Sequence, residues 1–167
     1  SPMSSVLKVD EIQNTSGTTG LTVDSGGRVL NPNAVGWLVS KNATQTASAA
    51  NEVITWEVVS LNQGSGFQTS GGNVNKFVAP VHGLYTCTVD LLSASTTNQT
   101  DVSLIFNENT NIGTMRNAGV GGHETYSMSW VGEMDVGDTL LVNINTSGRQ
   151  VYGSATPWST WCGYLIG

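Results

Sequence analysis

The run Trp161-Cys162-Gly163-Tyr164-Leu165-Ile166 near the end of the chain is apolar on both faces of any strand it forms. An antiparallel strand with one wet side alternates apolar and polar residues. Here Trp161 and Leu165 point one way, and Cys162, Tyr164 and Ile166 the other. The run is far too short to span a bilayer, which takes about 20 apolar residues. Its second face therefore meets more protein, and another copy of the same chain is the simplest occupant. An oligomer with a binding or structural role is the expectation.

Composition points to an all-β fold. A chain of 167 residues is long enough for one domain with a short appendage. Only 11% of residues are charged, against about 25% in an average soluble domain. Ser, Thr and Asn together number 53, beside 20 Gly, which suits Thr-rich strands joined by Gly/Asn turns. The net charge of -6 comes with three Lys and three Arg and no basic cluster. Neither a nucleic-acid footprint nor a polybasic membrane anchor is present, so no nucleic-acid and no membrane partner is expected. Ser1-Pro2 before Met3 reads as an added remnant, and no N-terminal stretch looks like a signal peptide. Folding in a cytoplasm, with Cys87 and Cys162 as thiols, follows. Four Asn-x-Ser/Thr sequons, at Asn14, Asn42, Asn98 and Asn145, are what chance allows in such a composition.

Two regions are distinguishable. Residues 1–33 hold short apolar pieces between Gly turns: Val6 to Ile12, Leu21 to Asp24, and Arg28 to Leu30. Such pieces bury almost nothing alone, so this segment reads as an attachment arm or stem, hinged at Asn31-Pro32-Asn33. From residue 34 to 167, strands arrive at the spacing of a sandwich or barrel. They are Trp37 to Val39, a strand from Val53 to Leu61 with Ile54, Trp56 and Val58 on one face, and Phe77 to Val81. Next come Leu84 to Leu92, Val102 to Phe106, Tyr126 to Trp130, Leu140 to Ile144 and the terminal strand. No segment nucleates a helix, and Ala47 to Ala50 is too short.

Three spaced elements carry a resemblance. Pro80-Val81-His82-Gly83-Leu84-Tyr85, Met134-Asp135-Val136-Gly137-Asp138-Thr139-Leu140 and the terminal Trp161-Cys162-Gly163-Tyr164-Leu165-Ile166 resemble, in order and spacing, the tumour-necrosis-factor-like jelly roll. The version is that of the globular heads of complement component one q. The resemblance implies a ten-stranded all-β jelly-roll sandwich that assembles as a homotrimer through an inner sheet. It implies a trimer interface at Trp161, Gly163 and Leu165 on the terminal strand, with Thr86 and Thr88 beside them. Thr86 and Thr88 depart from the apolar residues more usual there. It also implies that Cys87 and Cys162 lie on neighbouring strands, both facing the interior. Separately, Leu7-Lys8-Val9-Asp10-Glu11-Ile12-Gln13-Asn14-Thr15-Ser16-Gly17, with Leu21 to Val29 after it, resembles the start of many tailed-bacteriophage fibre and head-decoration proteins. That likeness implies virion attachment through Leu7, Val9, Ile12, Leu21, Val23 and Val29.

Chemistry is sparse. His82 reads as a turn residue, and His123 beside Glu124 is at most half a metal site. Asp135 and Asp138 suit turn formation better than paired catalysis. Asp90 and Asp101 flank a strand-loop-strand and are candidates for a calcium ion on the oligomer axis, which needs several oxygen ligands. Cys87 alternates with polar residues and reads as a buried thiol. Trp37 and Trp158 lie near strand ends, as core-edge or interface residues or as carbohydrate platforms. No catalytic residue, cofactor or metal is assigned. The expectation is a non-enzymatic phage virion protein, a homotrimeric head decoration or short fibre that binds capsid or tail proteins. The rival is a tail-fibre tip that recognises a host surface glycan or protein.

Overall fold

The computed structural model describes residues 8–94 and 98–167. The chain divides into two compact units, Ser1–Ala34 and Val35–Gly167.

The first unit is a meander of β1 (Glu11–Gln13), β2 (Thr19–Val23) and β3 (Val29–Leu30). Its turns form where short polar side chains replace missing backbone partners. Asn14 Oδ1 accepts from the backbone N–H of Ser16 and Thr18, and Asp24 Oδ1 from those of Gly26 and Arg28, all at 2.9 Å. These are Asx turns. The described residues of this unit are all half-buried or exposed, so it has no core of its own.

The second unit contains β4 (Gly36–Ser40), β5 (Gln45–Thr46), β6 (Glu52–Val53), β7 (Val58–Gln63), β8 (Phe77–Val78) and β9 (Gly83–Leu92). It continues with β10 (Asp101–Phe106), β11 (Thr110–Arg116), β12 (Thr125–Met134), β13 (Thr139–Ile144), β14 (Gln150–Val151) and β15 (Thr160–Leu165). One five-stranded sheet runs β12-β9-β15-β4-β7. The other runs β11-β10-β13-β6, with β8 also on β13. Strands far apart in sequence are neighbours in both, every pairing is antiparallel, and β5 and β14 form a small separate ladder. This is a ten-stranded jelly-roll sandwich.

The structure departs from the sequence reading at two places. The expected continuous strand from Val53 to Leu61 is split: Val53 pairs with Asn143 in one sheet and Val58 with Ser40 in the other. Ile54 and Trp56 are buried where the chain crosses between sheets, whereas Val58 is exposed. The strand β11 carries no clear alternation, because its backbone is organised by hairpin pairing with β10 across a register shift rather than by an apolar face.

The core fills the space between the sheets. Trp37 stacks on Phe77 with ring centroids 3.9 Å apart and meets Trp161 edge-on at 5.5 Å. Trp56 and Phe67 close on Trp161 at 5.9 and 6.0 Å. Val39, Tyr85, Val89, Leu104, Leu140, Val142 and Ile144 complete it, all fully buried. Each such side chain contributes about 1.5–3 kcal/mol on burial. The turn before β13 is built as its residues suggest: Gly137 takes φ 92, and Asp138 Oδ2 accepts from Asp135 N at 2.8 Å.

Candidate functional site

The outer face of the β12-β9-β15-β4-β7 sheet is where the molecule leaves apolar surface uncovered. Register places Leu61, Leu38, Cys162, Thr88 and Ser129 in one row across the five strands. The next row holds Gln63, Gly36, Tyr164, Thr86 and Val131. Beyond it lie Ile166 and Leu84, joined by the bond from Ile166 N to Leu84 O. Tyr164 is 58% exposed, Val131 59% and Leu61 47%, with Leu38, Leu84 and Ile166 also open. These side chains form one patch, and contiguous apolar surface of this kind marks interaction sites.

The terminal strand does have two apolar faces, but the residues expected to meet a partner are partly on the wrong one. Trp161 is 0% exposed at the centre of the aromatic core. Gly163 is buried against Trp37, and Leu165 packs on the core cluster from its edge. Thr86 and Thr88 do face outward, half-buried; Thr86 Oγ1 donates to Trp130 O at 3.1 Å and Thr88 bonds Ser129 at 2.9 Å. The outward residues of β15 are Thr160, Cys162 and Tyr164. Gly163 leaves room on the buried face for the Trp37 ring, which packs against it.

The two cysteines part company for the same reason. Cys87 is buried in the core, and burial pushes its thiol up to about 12. Cys162 lies on the opposite face, half-buried, paired across the ladder with Thr88 and Leu38. Partial burial, and then the charge of Asp90, raise its thiol as well.

Of the residues expected to attach the arm, Ile12 pairs with Leu21 and Val23 with Val29. Because Leu21 and Val23 share one side of β2, these four make a single apolar stripe. Val29 and Ile12 are more than half exposed. Val9 precedes β1 and is exposed, and Leu7 lies outside the described residues.

The polar candidates resolve into structural roles. His82 bridges Asp135 at 2.8 Å and Glu133 at 3.2 Å, tying two turns together. His123 Nδ1 donates to Ser93 O at 2.7 Å, and the ring meets Tyr152 edge-on. Asp101 is not a calcium carboxylate paired with Asp90. It sits in the other sheet, held in a two-pronged pair with Arg116, which keeps its carboxyl below the usual range. Among the described residues no group of three or more His, Cys, Asp or Glu could hold a metal ion. No helix among them is long and apolar enough to cross a membrane. Sequence reasoning missed Lys41, which is fully buried with Nζ 2.8 Å from Thr55 O and 3.2 Å from Glu57.

The profile of the C1q domain matches residues 37–166. The chain belongs to the C1q-domain family. Solved structures agree on the fold. The globular domain of zebrafish complement 1qA protein superposes with a TM-score of 0.64 at 15% identity, covering 80% of this chain and 98% of that one. Murine APRIL at pH 5.0 gives 0.63 at 11% identity, over 80% and 99%. Eiger TNF from S. frugiperda gives 0.60 at 11%, over 80% and 92%. Domains of this type are typically non-enzymatic binding or structural modules and commonly form homotrimers.

Proposed function

We propose that this chain is a non-enzymatic structural protein of a tailed-bacteriophage virion, a homotrimeric head-decoration or short-fibre protein anchored by its N-terminal arm. One observation carries the self-association: the uncovered apolar patch of Leu38, Leu61, Tyr164, Val131, Leu84 and Ile166 on one sheet face. The patch sits on strands with almost no charge, as the centre of an obligate interface requires. The virion reading draws on the arm, whose sequence resembles phage attachment segments and whose apolar stripe stays in water within its own unit. An isolated stripe of this kind is stabilised by a partner surface.

Light scattering tests the first part, with three times the 17.5 kDa chain mass expected. Leu38→Asp, which places a carboxylate in the patch, should return one chain's mass while remaining folded. A native chain of single mass at micromolar concentration would overturn the trimer. Co-sedimentation with particles lacking the protein tests the second. The full chain should pellet with them and residues 34–167 should not; equal pelleting of both would move attachment to the jelly roll.

A further inference from the structure

The far end of the same sheet face, at Asp90 and Leu92 of β9, has different chemistry. Val35 O accepts from Leu165 N, which pairs with Tyr85 near the Gly83 end of β9. Along the ten residues of β9, about 30 Å at 3.3 Å per residue, the outer face changes from Leu84 to Asp90 and Leu92. Two adjoining clefts open there, sharing Trp158 and Thr125. One, of about 310 Å³, is lined by Asp90, Thr125, Ser127 and Trp158, with the backbone of β9 and β12 beneath. The other, of about 370 Å³, is lined by Leu92, His123, Thr125, Tyr152 and Trp158.

Trp158 is 54% exposed, yet its segment is firmly held. The next residue, Ser159, is fully buried. Its Oγ donates to Tyr152 O at 2.7 Å and accepts from Leu92 N at 3.1 Å, and its carbonyl accepts from Lys41 N. A large indole left in water on a clamped backbone is an aromatic platform whose ordering cost is already met by the fold. Beside it stand a carboxylate and two hydroxyls on one side and an aromatic, apolar wall on the other. An aromatic face with a few convergent polar groups is the composition of a small-ligand site. No Lys or Arg is among the described residues lining either cleft, and the chain's net charge is -6. An anionic ligand is therefore disfavoured.

We infer that the clefts flanking Trp158 bind a neutral saccharide, one pyranose ring stacking on the indole while Asp90 accepts from its hydroxyls.

Saturation-transfer NMR on the full chain tests this with maltohexaose, chitotetraose and mannotriose as neutral probes and a sialic-acid oligomer as the anionic one. Transfer to at least one neutral probe and none to the anionic oligomer is expected. Trp158→Ala should weaken binding about tenfold or more, the equivalent of about 1.4 kcal/mol, and Asp90→Asn should weaken it by a smaller factor. Both are exposed positions, and an unchanged melting temperature shows that the fold is intact. The Leu38→Asp variant should keep its binding, which separates this site from self-association. Transfer to none of the neutral probes, binding that survives Trp158→Ala, or a preference for the anionic oligomer would each overturn the inference.

Discussion

At Glu52 a single half-buried carboxylate holds a whole turn. Its oxygens accept from the Ser48 hydroxyl, the Gln45 side-chain amide and the backbone N–H groups of Ser48 and Ala49. These bonds, the Ser48 hydroxyl foremost, hold the carboxyl at about 2 against an ordinary 4.5. A lowered folded-state value means that the bonds contribute stability above the unfolded value and lose it as pH falls toward the folded one. Glu52→Gln should therefore lower the melting temperature at pH 6, and the difference should shrink between pH 4.5 and pH 2. Thermal unfolding of both proteins across that range checks it; a constant offset down to pH 2 would remove Glu52 from the account. Lys41 is the opposite case, a buried ammonium whose charge burial disfavours and Glu57 supports. Removing one partner from such a pair costs more than the pair contributes.

Elements meet closely where β15 passes between β9 and β4. A Cβ on Gly163 would lie 2.3 Å from Cη2 of Trp37 and 2.6 Å from the Thr86 carbonyl oxygen. The Trp37 ring is fixed by Phe77 and Trp161, and the carbonyl belongs to the ladder, so neither yields cheaply. Gly163→Ala should destabilise the fold by about 1–3 kcal/mol, the range for overpacking a core. Gly122→Ala, whose Cβ meets nothing within 4 Å, should stay within about 0.5 kcal/mol of the native chain. Urea unfolding of the two variants reads the contrast, and equal midpoints would contradict it. The alternation of β9 was legible in sequence because Tyr85, Cys87, Val89 and Leu91 interleave with Thr86, Thr88 and Asp90. The break between β6 and β7 was not, because apolar residues continue straight through the crossing and only strand pairing distinguishes the two sheets.

For the molecule as a whole, the two thiols report on which surfaces are covered. Cys87 is closed off by the sandwich itself, whereas Cys162 lies within the outer patch beside Leu38 and Thr88. If copies of the chain cover that patch, a bulky thiol reagent should reach neither cysteine in the native assembly. In Leu38→Asp it should modify Cys162 alone, more slowly than a free cysteine because partial burial and Asp90 raise that thiol. Mass spectrometry after timed labelling measures both sites. Rapid labelling of Cys162 in the native protein would mean that the patch stays open.

What sequence alone determined is the class of architecture and its punctuation. Sparse charge, Thr-rich alternation and the turn at Gly137 specify strands and their ends through local backbone preference, and local preference is readable one segment at a time. The doubled apolar character of residues 161–166 was equally readable. Which face of that strand belongs to the core was decided by tertiary structure. Trp161 and Tyr164 are both large aromatics of that run on opposite faces, and a strand's parity is symmetric until its neighbours are in place. The facing Trp37, Trp56 and Phe67 come from three other stretches of chain, and together they enclose Trp161 and leave Tyr164 outside. The clefts at Trp158 likewise exist only because β9, β12 and the segment before β15 end side by side, a juxtaposition of residues more than thirty positions apart that no local pattern records.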